Sequence, residues 1–84
     1  MMQCYVTHDA TTYGIRRGYL DYETVHPLGA WIAIGDEANP PEWFPDRSWF
    51  KHLKPAINNA EKQRIKKIKE LGNQIKRIRR MEFK

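Results

Sequence analysis

Four residues of this 84-residue chain carry the side chains that nucleophilic or metal chemistry needs: Cys4, His8, His26 and His52. Cys4 and His8 stand four apart in a stretch that reads as a strand followed by a turn. There, unlike in a helix, that spacing does not bring two side chains together. Neither a Cys–His nucleophile nor a metal set is therefore expected. A single cysteine excludes an internal disulfide and a zinc knuckle built from thiolates. The acids Asp9, Asp21, Glu23, Asp36, Glu37, Glu42 and Asp46 fall in loops or on strand faces, with no paired-carboxylate motif. Gly14, Gly18, Gly29, Gly35 and Gly72 match no phosphate-cradling loop. The chain reads as a non-enzyme without cofactor or metal.

What remains is binding chemistry, and two stretches offer it. The first is IKKIKELGNQIKRIRR, Ile65 to Arg80. At 100° per residue, Ile57, Ile65, Ile68, Leu71, Ile75 and Ile78 share one broad stripe. Lys62, Lys66, Lys69, Lys76, Arg77 and Arg80 lie opposite. The basic face could neutralise phosphates, which makes Lys66, Lys69, Lys76, Arg77 and Arg80 candidates for binding DNA or RNA directly. Against that use, no helix-turn-helix pair is visible, Glu61 and Glu70 interrupt the run, and Lys and Arg suit any solvated helix face. The favoured reading is a scaffold helix whose isoleucine stripe covers a sheet, with its Ile68 and Ile75 as core positions. Gly72, at the edge of the stripe, suggests close approach to a sheet or ring. Pairing of two copies through Ile68, Leu71, Ile75 and Ile78 would span only two heptads with basic flanks that repel, so a monomer or weak dimer is expected.

The second stretch is PPEWFPD, Pro40 to Asp46. Two aromatics framed by prolines make a stiff surface, and Trp is a favoured interface anchor. Trp43 and Phe44, with Glu42 and Asp46 at their rim, are therefore the candidate partner-binding residues. The alternative is that both rings fold back over one end of the core.

The elements that must position these residues follow from composition. Forty percent of the residues are apolar and ten are aromatic, enough for one small core. Through Leu53 the chain carries four basic and seven acidic residues; from Lys54 on it carries eleven basic and three acidic. The net charge of +5 thus divides into an acidic body of −3 and a basic tail of +8. One domain is expected, 1–84, with a β-rich acidic body over 1–53 and a basic helix over 54–84. The N-terminus does not read as a signal peptide, and no apolar run approaches a membrane span, so a soluble, cytoplasmic protein is expected.

Gln3 to Thr7 reads as a strand, and Asp9 to Thr12 as a turn. Gly18 to Glu23 reads as a second strand with a bend or bulge at Gly18. Ala30 to Ile34, bounded by glycines, is the best candidate for the centre of the sheet. Gly35 to Pro41 is a loop, and Glu42 to Phe50 holds at most one more short strand, broken at Pro45. Pro55 suits the first turn of a helix running to about Met81. The expected fold is α+β: a small three- or four-stranded antiparallel sheet packed against one long C-terminal amphipathic helix. Laid across the sheet, that helix would bury Trp31, Ile32 or Ile34, and parts of Trp43 and Trp49.

Two parts of the chain resemble a family of small, uncharacterised proteins encoded by bacteriophages and prophages. One is Tyr5-Val6-Thr7 followed by Gly14-Ile15. The other is the helix with Ala60-Glu61, Arg64, Lys67-Ile68, Leu71, Gln74-Ile75, and Phe83 near the terminus. Members of that family are similar in having an N-terminal strand, a variable middle and a basic C-terminal helix; the Pro- and Trp-rich loop here has no counterpart. The resemblance implies a phage or prophage accessory protein working in the host cytoplasm. Such a protein would act by stoichiometric binding to a host protein or protein–nucleic-acid complex, as counter-defence inhibitors of the anti-CRISPR type do.

Overall fold

The structure, a computed structural model, describes residues 1–81. Phe83 lies outside the described residues. The class is α+β: a curled five-stranded antiparallel sheet and one long C-terminal helix. In chain order the elements are β1 (Met2–Val6), a single-turn α1 (Ala10–Tyr13), β2 (Arg16–Leu20), a 3₁₀ turn (Tyr22–Thr24), β3 (Gly29–Ile34), β4 (Glu42–Pro45), β5 (Trp49–Phe50) and α2 (Leu53–Arg80). The first four strands form a meander, and β5 returns to the free side of β1, giving the order β4-β3-β2-β1-β5.

The fifth strand was not expected. Glu42 to Phe50 forms two strands because a tight turn replaces the anticipated break. Ser48 Oγ donates to the Pro45 carbonyl at 2.6 Å, and Arg47 takes a left-handed backbone conformation at φ 68°. The second strand is also earlier and more regular than its sequence suggests. It ends at Leu20, and Gly18 sits in unbroken antiparallel pairing with Cys4 on one side and Ile34 on the other. Gly18 is there for space, since a β-carbon would collide with Ile32 Cγ2. It admits Ile32 to the interior.

Curling closes the sheet around its own core. Alternate residues of each strand point inward, and Cys4, Val6, Leu20, Ala30, Ile32 and Phe44 form the buried cluster, with Met2, Ile34 and Trp49 partly buried against it. Burial of these side chains is the main stabilisation of so small a body. The helix meets this body chiefly at β1, α1 and β5. Ile32 is buried as foreseen, but Trp31 and Trp43 face solvent, 49% and 41% exposed.

The expected crossing of the sheet by α2 is therefore corrected. The molecule measures 59 × 25 × 23 Å. A 28-residue helix is about 42 Å long, so α2 accounts for most of that length. From Arg64 to Arg80 every residue except Gly72 is exposed. The helix is anchored by its first turns and then projects.

Candidate interaction surfaces

The anchor uses an unexpected face of α2. Ala56, Asn59, Ala60 and Gln63 recur at helical spacing, and Ala56 is fully buried. Small side chains at 56 and 60 permit close approach, and two amides supply the directionality. Gln63 Nε2 donates to the Thr7 carbonyl at 2.8 Å and to Asn59 Oδ1 at 2.7 Å. Its Oε1 accepts from the Ala10 backbone N–H at 3.1 Å, and Asn59 Oδ1 also accepts from the buried Thr7 hydroxyl at 2.8 Å. No sequence signal marked Asn59 or Gln63, because a polar pair on a basic helix reads as surface.

At 100° per residue this docking face lies roughly a quarter turn from the isoleucine stripe. The stripe is consequently uncovered: Ile57, Ile65, Ile68, Leu71, Ile75 and Ile78 are 44–60% exposed. The expectation that Ile68 and Ile75 are core positions is overturned. So is the close approach inferred for Gly72, where a β-carbon would meet nothing within 4 Å. Arg64 Nη2 and Glu61 Oε2 pair at 2.7 Å within the stripe, between Ile57 and Ile68. Lys66, Lys69, Lys76, Arg77 and Arg80 are all exposed on the opposite side, and among the described residues no carboxylate stands within ion-pair distance of them.

The Pro- and Trp-rich segment divides by strand parity. In β4, Phe44 points inward opposite Ala30 and is only 5% exposed, so it is a core residue and not a partner-binding one. Trp43 points outward opposite Trp31, and their ring centroids stand 5.7 Å apart, edge to face. The Trp43 ring rests on Gly29, where any β-carbon would lie 2.7 Å from Trp43 Cζ2. His26 approaches the same ring at 6.4 Å. Glu42 and Asp46 are exposed at either end of the strand.

The residues with catalytic potential are scattered. Cys4 is fully buried in the core, and burial pushes its thiol up to about 11, which leaves it protonated and unreactive at neutral pH. The His8 ring packs edge-on to Phe44 at 5.9 Å. His26 accepts through Nδ1 from the Leu28 backbone N–H at 3.1 Å. His52 stands at the start of α2 and makes no side-chain cap. Among the described residues no three His, Cys, Asp or Glu side chains gather as metal ligands, and no helix is long and apolar enough to cross a membrane. Comparison with known protein families, with characterised proteins and with solved structures gives no match.

Proposed function

We propose that the protein acts by stoichiometric binding and that α2 is its arm, engaging a partner protein through the isoleucine stripe. The observation that carries this reading is the exposure of six Ile and Leu residues along one face of a projecting helix. A solvated strut has no use for that face, whereas a groove in a partner would bury it at positions spaced by three and four. The basic flank favours an acidic rim on the partner and speeds encounter. The resemblance to small phage and prophage proteins suggests a host factor, alone or in complex with nucleic acid, as the partner.

Affinity capture from host lysate with wild type and with Ile68→Gln/Ile75→Gln tests the reading. A specific protein held by wild type and lost by the double variant supports it. Equal recovery of the same proteins by both sinks it.

A second reading, direct binding of DNA or RNA, draws on the exposed basic face of Lys66, Lys69, Lys76, Arg77 and Arg80. It requires micromolar binding in a gel shift whose log affinity falls with log salt at a slope near one per neutralised phosphate. Changing Lys66, Lys69, Lys76 and Arg77 together to Gln would abolish that binding, while the stripe variant would retain it.

A further inference from the structure

The outer side of the sheet carries a second surface, built around Trp31 and Trp43. Beside Trp31, on the side away from Trp43, lies a hollow of about 240 Å³ whose apolar lining is Met1, Tyr19, Trp31, Ala33 and Pro41. Asp21, just after β2, and Glu37, in the β3–β4 loop, also line it. Among the described residues neither acid is engaged in an ion pair. The aromatic geometry is fixed in advance. Trp43 is seated on Gly29 and meets Trp31 edge to face, while Ala33 at the floor is buried. An aromatic wall attracts a cation through its ring quadrupole, and carboxylates beside it add to that attraction where water is partly excluded.

We propose that this hollow receives a basic side chain, Arg or Lys, presented by a partner protein. Two indoles on the solvent face of a sheet are costly to leave wet, and a guanidinium or ammonium stem covers apolar surface while its head meets the acids. The site does not depend on α2. The protein would then hold one partner region by its arm and a basic one by its sheet.

The test uses the full chain and an acetylated, amidated octapeptide of alternating Gly and Arg, with the Gly–Glu octapeptide as control. Tryptophan fluorescence is titrated at constant ionic strength. Saturable binding of the Arg peptide alone is expected. Trp31→Ala, and separately Asp21→Asn/Glu37→Gln, should weaken it about tenfold or more with unchanged circular dichroism and melting. The Lys66/Lys69/Lys76/Arg77→Gln variant should bind as wild type. Equal binding by wild type and the site variants, or no saturation up to millimolar peptide, overturns the proposal. Sedimentation in which the chain alone dimerises through Trp31 and Glu37 overturns it too, by placing the basic helix of a second copy in the hollow.

Discussion

Gln63, in the third turn of α2, donates through Nε2 to the carbonyl of Thr7, 2.8 Å away and 56 residues earlier in the chain. This contact and its neighbours help hold the arm to the body, where Ala56 is the buried residue that α2 contributes. Replacing Gln63 by Leu removes its bonds to the Ala10 N–H, the Thr7 carbonyl and Asn59, and leaves the first two only the 3.1 Å bond they make to each other. A loss of roughly 1–3 kcal/mol is expected in urea unfolding. Gln63→Glu should fall between, since a carboxylate can still accept from Ala10 but cannot donate to Thr7. A Leu variant as stable as wild type would show that the junction is held by something else.

The isoleucine stripe should be nearly silent in stability. Ile68→Ala and Ile75→Ala are each expected to shift unfolding by no more than about 0.5 kcal/mol, as exposed substitutions do. Ile32→Ala, in the closed core, should cost about 2–5 kcal/mol. Thermal melts of the three variants decide it. A large loss at Ile75 would mean that the stripe is covered after all.

Two changes should strengthen the arm. His52 holds the extended backbone of an N-cap, φ −120° and ψ 147°, without supplying a cap, and the first turn of α2 contains no acid. His52→Asp should add about 1 kcal/mol by capping backbone N–H groups and complementing the helix dipole. Gly72→Ala fills open space inside the helix and should add about 0.5–1 kcal/mol of helix stability. Helical circular dichroism during melting reports both; a loss at Gly72→Ala would reveal a neighbour there.

Cys4 gives the alkaline limb of stability a defined direction. Burial raises its pKa from 9.0 to about 11 in the folded chain, so the unfolded chain loses the thiol proton first. The contribution is complete below about pH 9 and is lost as pH rises through about 11. Cys4→Ala should remove that part of the slope, measured as unfolding free energy against pH. A thiol reagent should label Cys4 at the rate of unfolding, and immediate labelling of the native chain would contradict its burial.

Much of the fold can be read in the sequence because it is set locally. Helix formers and the isoleucine period from Pro55 onward place a helix over 54–81, against Leu53–Arg80 observed. Ala30 to Ile34 reads as a strand and lies inside β3. Residue types also show that the C-terminal arm is basic.

Which face meets which was decided only in three dimensions. An amphipathic stripe states that a helix has an apolar side, not that the same chain covers it. Here the sheet curls and fills its interior with Val6, Leu20, Ile32 and Phe44, and α2 meets chiefly β1 and β5 among the strands. The helix docks instead where Ala56 and Ala60 are small enough to approach and Gln63 finds Thr7. Strand parity is likewise a matter of register. The pairing of Ala30 with Phe44 and of Trp31 with Trp43 sends one aromatic into the core and its neighbour into solvent. No local pattern in a stretch as short as EWFP could choose between them, because the choice is made by a partner strand and a core assembled from across the chain.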